Sequence, residues 1–152
     1  MNTRTCILTG LMFLIGFGLF ACSCPVYKNL EIFQFAEFEQ SECVFIGEVL
    51  EFNPKEKSYR IKVVDSFKGT ENGLIYEGTY DQQCGPTING FGKWIFYGHA
   101  DSNGLLRVNE CGLTRSFENP VHDFLNFEKF DSEIKKQAQK DLVLEIEKLR
   151  GK

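Results

Sequence analysis

Between residues 43 and 110 the chain carries five short runs rich in Val, Ile, Phe, Leu and Tyr, separated by turn residues. The first, 43–52, stops at Asn53-Pro54. In the second, 58–67, Tyr59, Ile61 and Val63 alternate with Ser58, Arg60 and Lys62 before Lys68-Gly69 closes it. A period of two turns one face of a strand to a core and the other to water. Runs at 74–80, 93–99 and 105–110 follow. Asp101-Ser102-Asn103-Gly104 joins the last two as a hairpin loop.

Five short strands joined mainly by hairpins predict a small antiparallel barrel or sandwich. Five is the number that a partly open OB-fold barrel uses, but strand count alone does not choose it over an immunoglobulin-like sandwich of about seven strands. Helices are expected on either side. Residues 29–40 carry Leu30, Ile32, Phe33, Phe35, Ala36 and Phe38, an order that fits neither period cleanly and reads as a short helix. A second helix, capped by Asp131 or Ser132, runs to about Arg150, with Gly151 as its stop. Its Ile134, Ala138, Leu142, Ile146 and Leu149 recur at steps of three and four and form one apolar face. Lys135, Lys136, Gln139, Lys140 and Glu147 lie off that face. Such a stripe packs on the barrel or docks a partner.

The first 21 residues stand apart. Arg4 is the only charged residue before Lys28, an apolar run covers 6–20, and Ala21 precedes Cys22. A basic start, an apolar centre and a small final residue predict a secretory signal peptide. The apolar run, at about 15 residues, is shorter than the ~20 a membrane-spanning helix needs. The expected organisation is a signal peptide at 1–21, a barrel domain at 22–118 and a helical extension at 119–152.

Loss of the leader removes Arg4 and Cys6, so a net charge of −4 becomes −5 and five of the six cysteines remain. Those five are Cys22, Cys24, Cys43, Cys84 and Cys111. Export permits disulfides. An odd count means a free thiol, a bridge between chains or a modified cysteine. The negative charge argues against a nucleic-acid partner, because neutralising phosphates takes clustered Lys and Arg.

No catalytic constellation is present in the sequence. The only two histidines, His99 and His122, lie outside any metalloprotease helix motif, and the cysteines do not form paired CxxC units. A P-loop, a dinucleotide-binding glycine pattern and a GxSxG elbow are all missing. His99, late in a strand, reads as a partly buried structural side chain. Cys84 with a distant histidine makes a weak thiol-nucleophile pair, since an exported cysteine is oxidised into bridges. The chain reads as a non-enzyme without cofactor or metal of its own.

The start of the mature chain, Cys22-Ser23-Cys24-Pro25, resembles that of the tissue inhibitors of metalloproteinases and the wider netrin-like domain. Proteins of that family begin, directly after signal cleavage, with Cys-Ser/Thr-Cys and a nearby proline. The likeness continues in order through Val44-Phe45-Ile46-Gly47-Glu48-Val49, Phe67-Lys68-Gly69, Cys84-Gly85 and Gly104-Leu105-Leu106 to Cys111. It implies an OB-fold barrel whose N-terminus is tied down by Cys22–Cys84 and Cys24–Cys111 bridges. It also implies that the α-amine and carbonyl oxygen of Cys22 chelate the catalytic zinc of a target metalloprotease. A catalytic zinc keeps an open position that N and O donors can fill. Ser23 would then enter the specificity pocket, and Cys24, Pro25, Gln82 and Gln83 would flank the inhibitory ridge. Cys43 departs from the pattern, because it falls at the first strand rather than before it.

Leu19-Phe20-Ala21-Cys22 also resembles the lipobox of bacterial lipoproteins, in which the cysteine sulfur receives a diacylglycerol. That resemblance implies a cell-envelope protein attached to a membrane through lipid on Cys22, with a binding or scaffolding role. Subtracting Cys22 leaves four cysteines, enough for two bridges.

Overall fold

The computed structural model describes Cys24 and residues 29–80, 85–121 and 132–152. The expected signal peptide, Cys22, Ser23, Pro25, Gln82, Gln83, Cys84, His122 and the alternative cap Asp131 lie outside the described residues.

The chain order is α1 (Leu30–Gln40), β1 (Cys43–Asn53), β2 (Ser58–Lys68), β3 (Ile75–Thr79), β4 (Gly92–Ala100), β5 (Leu106–Val108), β6 (Arg115–Ser116) and α2 (Ser132–Arg150). Strands pair in the order β1-β2-β3-β5-β4, and β4 returns to β1, so five strands close into a barrel with β6 added on β4. Closure removes the unpaired edges that an open five-stranded sheet would expose. This is an OB-fold-like barrel with a C-terminal helix, the fold that the family resemblance implies. One seam differs from the expected antiparallel pattern. β3 and β5 run parallel, Gly78 opposite Leu106 and Thr79 opposite Arg107. β3 and β4, consecutive in the chain, are not neighbours in the sheet, because β5 stands between them. The Tyr59 hydroxyl donates to the Leu106 carbonyl at 2.8 Å, a side-chain tie at that short seam.

β1 pairs with β2 on one side and β4 on the other. Register shifts between Val44 and Phe45, Ile46 and Gly47, and Val49 and Glu51 let it coil around the barrel. Its apolar run is continuous because both faces are covered. Phe45 and Val49 point inward to Tyr59, Ile61, Val63, Trp94, Phe96 and Leu106. Val44 and Ile46 point outward to Phe33, Ile95, Tyr97, Leu113, Leu142, Ile146 and Leu149. Phe45 stacks on Phe96 with ring centres 5.2 Å apart.

The outer core belongs to the two helices. Leu142 is fully buried, and Ile146 and Leu149 are nearly so, while Ile134 and Ala138 near the start of α2 are half-buried. Burying a side chain of this size contributes about 1.5–3 kcal/mol. The stripe on α2 therefore packs on the barrel. α1 begins at the cap Asn29, whose side chain accepts from the backbone N–H of Glu31 and Ile32 at 2.8 and 3.4 Å. Its periodicity is blurred because it buries Phe33 and Glu37 yet exposes Ile32 and Phe35.

The Lys68-Gly69 pair holds α1 in place. Lys68 Nζ donates to the carbonyls of Phe38 and Glu39 at 2.7 and 3.1 Å, placing a cation on the negative end of the helix. Gly69 has φ +66°, and a β-carbon there would overlap the Glu42 carbonyl. Only glycine meets both demands.

Candidate functional site

Cys24 is bridged to Cys111 across 87 residues, with Cα atoms 5.4 Å apart. This is the pairing that the family resemblance implies. A loop of that size gives a bridge stabilisation of the usual ~2–4 kcal/mol. Cys111 sits in a four-residue turn closed by Gly112 N–H donating to the Asn109 carbonyl at 3.2 Å. Its φ of +53° lies in the left-handed region, where a non-glycine residue is held at a cost of roughly 1–2 kcal/mol.

What holds the turn is a buried carboxylate on α1. Glu37 Oε1 accepts from the Leu113 backbone N–H and from Asn109 Nδ2, each at 3.2 Å. Asn109 Nδ2 also lies 2.8 Å from Ser41 Oγ, which donates to the Glu37 carbonyl at 2.7 Å. Asn109 N–H donates to the Tyr97 carbonyl of β4 at 3.0 Å. The turn is thus fastened to α1 on one side and the barrel on the other. A β-carbon on Gly112 would overlap Glu37 Oε1 and come within 2.8 Å of the Asn109 carbonyl. Glu37 is 5% exposed, and its desolvation outweighs the two hydrogen bonds, raising its pKa above the ordinary carboxylate value.

A second buried carboxylate, Glu145 of α2, completes this polar layer. Its Oε2 accepts from Arg115 at 2.5 Å and from Gln34 Nε2 at 2.7 Å, and its Oε1 accepts from the Tyr97 hydroxyl. Arg115 also donates to the Leu113 carbonyl at 2.8 Å. The side chains of Arg115 and Glu145 are almost wholly buried, so removing either would leave the other without its partner and without water. Burial and the neighbouring Glu145 carboxylate push the Tyr97 hydroxyl far up from its ordinary value, so it stays a donor. Gln34, Glu37, Tyr97, Arg115 and Glu145 form a junction where α1, α2 and the barrel meet. Sequence reading missed all five. The one available signal was Glu145, a charged residue between Leu142 and Ile146 on the apolar side of its helix.

An open cleft of about 530 Å³ lies at the same end of the barrel as the bridge. Tyr80 and Gly85, which flank residues 81–84, line it together with His99, Arg107, Asn109 and Glu110, the last adjacent to Cys111. The described residues thus bring the tether of Cys24 and the two ends of the 81–84 segment to one place. His99 is exposed rather than partly buried, with Nδ1 3.4 Å from Asn109 Oδ1. It stands near the end of β4, where the strand leaves the core.

Cys43 is 5% exposed and carries no bridge. Its Sγ donates to the Gly98 carbonyl at 3.5 Å, and burial, with a smaller push from Glu42, raises its pKa to about 11. Cys43 therefore takes no part in the second bridge on which the four-cysteine count depends. Among the described residues no group of three or more His, Cys, Asp or Glu could hold a metal ion, and no helix is long and apolar enough to cross a membrane. No protein-family model and no curated protein matches the chain.

Proposed function

We propose that the protein is an exported, netrin-like barrel that inhibits a zinc metalloendopeptidase through the α-amine and carbonyl oxygen of Cys22. The observation that carries this reading is the allocation of the cysteines. Cys24 is bridged to Cys111 and Cys43 is buried and unbridged, an allocation compatible with the Cys22–Cys84 pairing that the family resemblance implies. Reach supports the pairing, because Cys22 is at most about 7 Å of chain from the tethered Cys24. Cys84 is the neighbour of Gly85, which lines the cleft at that end of the barrel. Ser23, Cys24, Pro25, Gln82 and Gln83 then form the ridge beside the zinc ligand. An α-amine titrates near ~7.7–8.0, so metal binding near neutral pH draws on its deprotonated form.

Adding one alanine before Cys22 tests the mechanism. The extension moves the amine out of chelating geometry and leaves the barrel and both bridges as they were. Against a panel of zinc endopeptidases, the native N-terminus should inhibit and the extended form should not, at equal thermal stability. Equal inhibition by both forms would exclude chelation by the amine.

The lipobox-like Leu19-Phe20-Ala21-Cys22 supports a second reading, a cell-envelope lipoprotein with a binding or scaffolding role. Lipid on the Cys22 sulfur would leave Cys84 without a partner inside the chain, since Cys43 is a buried free thiol and Cys24 is bridged to Cys111. The two readings thus differ in the state of a single sulfur atom.

A further inference from the structure

We propose that Glu37 is a positioning residue for the inhibitory N-terminus, acting through the Cys111 turn and the Cys24 bridge. Its consequence for inhibition rests on the reading above; the contacts that carry it do not. Glu37 Oε1 takes the Leu113 N–H on one side of Cys111 and the Asn109 side chain on the other. In either protonation state that oxygen accepts both bonds. Cys111 holds φ +53°, a conformation its own backbone disfavours, so contacts on either side of it keep the turn in shape. The bridge passes any shift of Cys111 to Cys24 across a Cα separation of 5.4 Å, and residue 22 follows two residues away. Metal chelation tolerates displacements of only about 0.5 Å, so inhibition is lost to a loose turn before stability is.

Three variants separate positioning from plain stability. Glu37→Gln keeps an acceptor oxygen at the same place. Glu37→Ala removes it, and Gly112→Ala pushes a methyl against both it and the Asn109 carbonyl, loosening the same turn from the other side. Two quantities are read on the full mature chain: the inhibition constant against a sensitive zinc endopeptidase, and the rate at which dithiothreitol reduces Cys24–Cys111. Glu37→Ala and Gly112→Ala should each weaken inhibition and speed reduction by about tenfold, the upper end of what one ordinary hydrogen bond contributes. Glu37→Gln should stay within about twofold of the parent in both, because the bonds persist. Should Glu37→Ala fail to fold, the contrast between Gly112→Ala and Glu37→Gln decides. Reduction rates unchanged in Gly112→Ala, or raised equally in Glu37→Gln, would overturn the proposal. A parent chain that inhibits nothing, with the predicted order of reduction rates intact, would support the clamp and remove the inhibitory reading alone.

Discussion

Leu142→Asp is expected to cost the domain more than ~4 kcal/mol, enough to unfold much of it given a usual stability of 5–15 kcal/mol. Leu142 has no exposed surface and lies among Val44, Ile46, Ile95, Tyr97 and Leu113. Losing a buried leucine alone costs ~2–5 kcal/mol, through lost transfer energy and the cavity left behind. The aspartate adds a carboxyl group to an apolar site that gives it no designated partner, and it must be buried neutral or drag α2 off the barrel. Urea titration followed by the fluorescence of Trp94 measures the effect, since Trp94 lies inside the barrel. An unchanged midpoint would mean that α2 does not pack on the barrel in solution and is free for a partner.

Glu145→Ala should cost about 3–5 kcal/mol, although it removes a polar group from the interior. The loss falls on what remains. Arg115, 3% exposed, loses the carboxylate it is hydrogen-bonded to, and Tyr97 and Gln34 lose their acceptor. Arg115 Nε already has no hydrogen-bond partner among the described residues, so the site has no spare acceptor to offer. Replacing both ions, Arg115→Met with Glu145→Leu, should recover most of the stability, because neither desolvation penalty then remains. A double-mutant cycle by chemical denaturation gives the coupling directly. Additive losses in the double variant would show that the pair is not coupled as its 2.5 Å separation requires.

These two residues also mark what could be read from the chain. Leu142 was legible because helix periodicity is local: Ile134, Ala138, Leu142, Ile146 and Leu149 report one face without knowledge of what it meets. The long strands were legible for the same reason, through alternation and turn residues. The seam that closes the barrel was not. The parallel seam joins Gly78 to Leu106, and nothing in either short run announces a partner so distant. β6 has two residues, too few for any period. The polar junction was hidden in the same way, as Glu37 meets Leu113 across 76 residues and Glu145 meets Arg115 across 30. Within the candidate site, the Cys24–Cys111 pairing came from a family resemblance, since cysteine count alone allows several frameworks. The role of Cys43 needed coordinates, because a cysteine in a strand looks the same whether bridged or packed as a small apolar side chain.

Everything proposed for function depends on the chemical state of Cys22. Intact mass of the exported protein, followed by peptide mapping without reduction, reads that state in one preparation. Inhibition by chelation predicts a chain beginning at Cys22 with an unmodified α-amine, Cys22 linked to Cys84, Cys24 linked to Cys111 and Cys43 as a free thiol. A diacylglyceryl or acyl mass on the Cys22 peptide, with Cys84 recovered as a free thiol, would contradict it.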